Sequence, residues 1–129
     1  MINTGKVAVY DIDNTLCKKK LPHQSYSDVE PIEEVCEHLR QLHRSGVSII
    51  LYTSRQMRTY NGNVGQILAN TAPILFDWLN IHDIPYDEIH FGKPWCAEGF
   101  YVDDRALRPN EVVGKTYEEC VTYLEEVSK

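Results

Sequence analysis

Residues 6–15, KVAVYDIDNT, run from a valine-rich apolar stretch directly into two acids separated by one residue. A short β-branched run that ends abruptly in carboxylates reads as a buried parallel strand over Lys6–Tyr10 whose carboxyl end opens into a site. Downstream, Pro31–Arg44 sets Ile32, Val35, Cys36, Leu39 and Leu42 on one helical face, and Gly46 follows as a natural C-terminal stop. Val47–Tyr52 (VSIILY) then repeats the pattern of a buried strand. Strand, helix, strand implies a crossover, and such crossovers are right-handed and join parallel strands. The expected fold class is therefore α/β.

Residues 53–72 carry Gly62, Gly65, three Asn and two Arg and read as a loop, with room for a helical piece over Val64–Ala69 that breaks before Pro73. Pro73–His82 places Ile74, Leu75, Trp78, Leu79 and Ile81 at helical intervals. Glu88–Phe91 reads as a third strand and Phe100–Val102 as a fourth, again ending in acids at Asp103-Asp104. Thr116 to Glu119 is a T-x-x-E capping box, opening a closing helix with Tyr117, Cys120, Val121, Leu124 and Val127 as its apolar stripe. No repeat, low-complexity tract or linker interrupts the chain, so one domain over residues 1–129 is expected.

At 129 residues, 43% apolar and 25% charged, the chain has the composition of a globular domain with one core. Its net charge of −6 argues against a nucleic-acid partner, because neutralising a phosphate backbone calls for a basic excess. The basic run Lys18-Lys19-Lys20 offers a phosphate-steering patch, but a run this short reads rather as a solvated loop and is left outside the site. Cys17, Cys36, Cys96 and Cys120 contain no C-x-x-C pair, which fits reduced thiols. MINTGKVAVYD lacks the regions of a signal peptide, and nothing approaches the ~18 consecutive apolar residues of a membrane span. A cytoplasmic protein with no membrane partner is expected. The five His residues show no metal-ligand spacing.

Asp11 with Asp13, Thr53, Lys93, and Asp103 with Asp104 all fall at or just beyond strand ends. In an open α/β sheet, ligands bind outside the carboxyl ends of the strands, so these positions can converge. Four carboxylates in one crevice repel one another unless a cation neutralises them, and magnesium favours such oxygen ligands. Mg²⁺ is the expected cofactor. It would offset the repulsion between a carboxylate nucleophile and an anionic phosphoryl group, with Lys93 adding a second positive charge. A phosphate ester is the expected substrate.

With these motifs in order, the sequence resembles the phosphatases of the haloacid dehalogenase superfamily. They open with D-x-D-x-T after a hydrophobic strand, here Asp11-Ile12-Asp13-Asn14-Thr15. Their second motif, a Thr or Ser ending the next strand, is matched by Thr53 in ILYTSR, with Ser54 as the alternative. The third is a Lys, matched by Lys93 in FGKP, and the fourth an acidic pair, matched by Asp103-Asp104 in FYVDD. The resemblance implies a Rossmann-like three-layer α/β/α fold around a mainly parallel sheet. It also implies that Asp11 attacks phosphorus, that Asp13 protonates the leaving oxygen and later activates water, and that Thr53 and Lys93 hold the phosphoryl oxygens. Mg²⁺ would be held by the Asp11 carboxylate, the Asp13 main-chain carbonyl and Asp103, with Asp104 outside it or linked through water. Superfamily ATPases and dehalogenases lack the second Asp, so position 13 points to phosphate-ester hydrolysis.

The stretch from Thr53 to Pro109 is similar to small capsular-polysaccharide biosynthesis phosphatases, which implies a small-molecule sugar- or polyol-phosphate substrate. Thr15–Val29 and Arg55–Ala72 are too short for a large cap domain, so the chain resembles the capless type. An open pocket implies either a bulky substrate or a lid supplied by a neighbouring subunit, and a homo-oligomer is the expectation. Arg55 and Arg58 are candidates for binding a second anionic or hydroxyl-rich part of the substrate, against the plainer reading that they satisfy their own loop. Two competing readings are a phosphatase of a macromolecular or nucleotide substrate and a non-enzymatic, receiver-like phosphoacceptor module. The order of motifs weighs against the receiver, which places its adjacent acidic pair after the first strand and its acceptor Asp later.

Overall fold

The structure, a computed structural model, describes residues 6–92 and 106–127. Three strands, β1 (Val7–Asp11), β2 (Ser48–Thr53) and β3 (Glu88–Phe91), form a parallel sheet in the order β1-β2-β3. The helices are α1 (Glu33–Arg44), α2 (Val64–Asn70), α3 (Ala72–Ile81), α4 (Pro109–Val112) and α5 (Tyr117–Val127), with a 3₁₀ turn over Tyr26–Asp28. This is a small α/β protein, consistent with a Rossmann-like arrangement. The expected fourth strand, Phe100–Val102, lies outside the described residues.

α1 forms where the spacing predicts. It buries Val35, Cys36, Leu39 and Leu42, carries Glu33 and Glu34 in its first turn and His43 and Arg44 in its last, and so matches the helix dipole at both ends. Gly46 follows at φ 97°, a left-handed conformation that costs glycine little. Pro31 and Ile32, expected inside the helix, precede it instead. Pro31 pairs with Cys17, and the Ile32 N–H donates to the Leu16 carbonyl at 2.7 Å, so both belong to the loop that builds the site.

In β2 the side chains alternate. Ile49, Leu51 and Thr53 share the face that is fully buried, whereas Ile50 and Tyr52 are half-buried. β1 departs from the expected buried strand, because Tyr10 is buried but Val9 is 57% exposed, and among the described residues the strand is paired only with β2. The Tyr10 hydroxyl meets His38 Nδ1 at 3.1 Å, while His38 Nε2 donates to the Lys115 carbonyl. Since a carbonyl only accepts, Nε2 carries a proton, and the two contacts tie β1 to α1 and to the approach of α5. Burial pushes the Tyr10 phenol above its ordinary range.

The capping box is present: the Thr116 N–H donates to the Glu119 carboxylate at 3.1 Å, and the Glu119 N–H to Thr116 Oγ1 at 3.2 Å. The stripe of α5 is shallower than its periodicity suggests, with Leu124 buried and Val127 half-exposed. The main core gathers Ile12, Leu16, Leu39, Ile49, Leu51 and Trp78 between the sheet and the helices.

Candidate active site

The strands end at a common edge. Asp11 lies beside Tyr52 in the register of β1 with β2, Thr53 lies beside Phe91 in that of β2 with β3, and the Gly92 N–H donates to the Thr53 carbonyl at 3.3 Å.

Past Asp11 the chain curls around one atom. The carbonyl of the fully buried Ile12 accepts from the N–H groups of Thr15, Leu16 and Cys17 at 3.2, 2.9 and 3.2 Å. Asn14 takes φ 63°, a left-handed conformation that asparagine tolerates better than most residues. With Ile12 anchored in the core, the acids on either side of it stay partly exposed, which explains the alternation of D-x-D locally. The Ile12 N–H also donates to Asp11 Oδ1 at 2.9 Å.

The chain then returns beside itself. The Lys18 N–H donates to the Glu30 carbonyl at 2.8 Å, pinching residues 19–29 into a short excursion that carries Tyr26. Trp78 Nε1 donates to the Val29 carbonyl at 2.8 Å and holds the end of this loop against α3.

Asp13 is clamped from β2. Thr53 Oγ1 donates to its Oδ2 at 3.0 Å, while Arg55 Nε and Nη2 both donate to its Oδ1 at 3.1 and 3.0 Å. The Arg55 N–H in turn donates to Thr53 Oγ1 at 2.9 Å. The Arg55 side chain has no exposure, lies 4.4 Å from the Tyr26 ring centre, and leaves Nη1 buried without a hydrogen-bond partner. Burial, followed by the nearby Asp13 charge, raises the Tyr26 phenol above its usual range. The same two causes push the Cys17 thiol up to about 11. Gln56, at φ 60°, turns the chain after Arg55 and accepts a hydrogen bond from buried Thr71.

A cavity of about 440 Å³ opens over this floor, and Asp11, Asp13, Lys19, Lys20, Arg55 and Arg58 are among the residues that line it. Ser54 and Tyr26 border it as well. Of the expected site residues, Asp11, Asp13, Ser54, Arg55 and Arg58 therefore meet at one pocket. Thr53 sits behind Asp13 at 1% exposure, and Lys93, Asp103 and Asp104 lie outside the described residues. Arg55 faces Asp13 rather than solvent. Lys19 and Lys20, expected in a solvated loop outside the site, border the cavity, and Tyr26 joins them with no sequence signal. The lysine run itself was the signal for the first two, since it follows D-x-D too closely to leave the site.

The hard oxygen donors that Mg²⁺ takes are present in kind at Asp11 and at the Asp13 main chain. The Asp13 carboxylate oxygens are occupied by Arg55 and Thr53, which leaves its carbonyl as the donor the resemblance implies. Among the described residues no group of three or more His, Cys, Asp or Glu side chains gathers as a metal cluster. No helix among them is long and apolar enough to cross a membrane.

No protein-family model matches the chain, and no curated protein does. A crystal structure of a structural-genomics target from Vibrio cholerae superposes with a TM-score of 0.87 at 45% identity, over 95% of this chain and 98% of that one. At that identity and coverage, this chain belongs to the same family as the Vibrio cholerae protein.

Proposed function

We propose that the chain is a Mg²⁺-dependent phosphomonoesterase of the haloacid dehalogenase type, acting through an aspartyl-phosphate on a small sugar- or polyol-phosphate. The observation that carries this reading is the pair Asp11 and Asp13 at the end of β1, the first facing the cavity and the second locked by Thr53 and Arg55.

In the first step Asp11 Oδ attacks phosphorus, an O–P bond forms, and the bond from phosphorus to the ester oxygen breaks. Asp13 delivers a proton to that departing oxygen. In the second step Asp13 takes a proton from water, whose oxygen attacks phosphorus and releases Asp11 and inorganic phosphate. The clamp holds the Asp13 carboxyl in one place for both tasks. Arg55 occupies Oδ1, so the travelling proton resides on Oδ2, and the Thr53 hydroxyl beside it can donate or accept as that proton comes and goes. Ser54, on the cavity wall, is better exposed than Thr53 for contact with a phosphoryl oxygen. By the resemblance Lys93 would provide another contact, and Asp103 would complete the metal site with the Asp11 carboxylate and the Asp13 carbonyl, Asp104 lying outside it or linked through water. Bound there, Mg²⁺ would lower the repulsion between the attacking carboxylate and the phosphoryl group.

The test is phosphate release from p-nitrophenyl phosphate with and without Mg²⁺. Many turnovers per chain that stop with EDTA are expected, and Asp11→Asn is expected to abolish them. Substantial activity in Asp11→Asn would sink the assignment, and labelling that halts at one phosphate per chain would favour a phosphoacceptor module. A panel of sugar, polyol and nucleotide phosphates, with light scattering for subunit number, then addresses the substrate and the proposed homo-oligomer.

A further inference from the structure

We propose that the outer wall of the cavity binds a second anionic group on the substrate, a carboxylate or a further phosphate, through Lys19 and Lys20; this deepens the phosphatase reading and rests on it.

The three lysines of the loop part company in the structure. Lys18 pairs with Glu30 at 3.0 Å, whereas Lys19 and Lys20 line the cavity, and among the described residues neither ammonium has a carboxylate partner. Lys20 is held in place. Its Nζ donates to the Leu21 and Gln24 carbonyls at 3.4 and 3.2 Å and sits 5.6 Å from the centre of the Tyr26 ring. Two of its three protons are thereby used, and one remains for a ligand. The Leu21 N–H to Gln24 Oε1 bond at 2.9 Å, with the Gln24 N–H to the Leu21 carbonyl at 3.0 Å, keeps that loop folded. A lysine fixed by backbone carbonyls rather than by an acid has an N–H left to offer an anion.

Asp13 is paired with Arg55 on the floor of the cavity, whereas Lys19 and Lys20 border the same cavity without a carboxylate partner among the described residues. In a chain of net charge −6, two neighbouring lysines therefore border a single cavity. The phosphoryl group belongs beside Asp11, and about 440 Å³ leaves room for the rest of a metabolite to reach the lysine wall. Attraction by such a wall raises both encounter rate and affinity for a doubly anionic ligand.

The experiment compares 6-phosphogluconate with glucitol 6-phosphate, which differ by a carboxylate in place of a hydroxymethyl group. We expect kcat/KM to favour 6-phosphogluconate by about five- to tenfold at low salt, the scale of one or two exposed ion contacts. That preference should shrink as NaCl rises from about 0.05 to 0.5 M. Lys19 is exposed and has no hydrogen-bond or ion-pair partner among the described residues, so Lys19→Glu should fold normally by circular dichroism and bring the ratio to about one or below. The salt series on the unmodified protein tests the same point without a variant. A ratio near one in the unmodified protein, or a preference that neither salt nor Lys19→Glu alters, overturns the inference alone. No phosphate release from these esters or from p-nitrophenyl phosphate overturns the phosphatase reading and this inference with it.

Discussion

Asp13 and Arg55 lie 42 positions apart in sequence, and their contact changes how each is to be tested. Asp13→Ala would strand a guanidinium with no exposure, a defect of ~3–5 kcal/mol for a fully buried pair and less here, where Asp13 is 32% exposed. Asp13→Asn is cleaner, because its amide oxygen still accepts from Arg55. We expect Asp13→Asn to fold, to lose about 10²–10⁴ in kcat, and to accumulate a hydroxylamine-sensitive phosphoenzyme. Unchanged turnover would remove Asp13 from proton transfer. Arg55→Lys keeps the charge but not the planar fork that places two N–H groups on Oδ1. If Arg55 positions Asp13, kcat falls by about a hundredfold while KM barely moves. A rise in KM at constant kcat would instead return Arg55 to the substrate-binding role that its place after β2 suggests. The D-x-D spacing was readable because anchoring Ile12 and displaying its neighbours is a local matter. The partner of Asp13 was not, since nothing near Asp13 in the chain names the arginine that turns toward it.

The helices and strands were largely legible, and their departures have local causes. The 3.6-residue spacing of Val35, Cys36, Leu39 and Leu42 and the Thr116–Glu119 box mark α1 and the start of α5 without tertiary information. The beginning of α1 was misplaced because Ile32 is claimed by the Leu16 carbonyl across the site loop. β3 is fastened by a side chain as well as by its ladder. The Asp87 N–H donates to the Ile49 carbonyl at 2.7 Å, and the Ile49 N–H donates to Asp87 Oδ2 at 2.8 Å. That second bond is the main reason the Asp87 carboxyl lies below the ordinary range. A depressed folded pKa gives stability that is complete above the unfolded value, about pH 4, and is lost as pH falls through the folded one. The Tm advantage of the unmodified protein over Asp87→Asn should therefore be present at neutral pH and narrow in acid. Parallel Tm curves for the two proteins would show that the carboxylate charge contributes nothing.

Across the whole molecule, β2 unites core and site. Leu51 is fully buried on the same strand face as Thr53, two residues before the clamp. Leu51→Ala is expected to cost ~3 kcal/mol through lost burial and a residual cavity. For a chain of this size that corresponds to a fall in Tm of about 10 °C. The measurement is thermal unfolding by circular dichroism, and a fall under ~2 °C would mean that the sheet centre is loosely packed.

Alternating and helical periodicities, the glycine stop after α1 and the acids after β1 dictate an α/β chain with a site at its strand ends, because each acts within a few residues. Folding decided the rest. Charge and hydrogen bonding act through space, so only the closed structure could turn Arg55 inward onto Asp13, hide Thr53 behind it, and bring Lys19 and Lys20 from a loop that reads as solvated to the wall of the cavity.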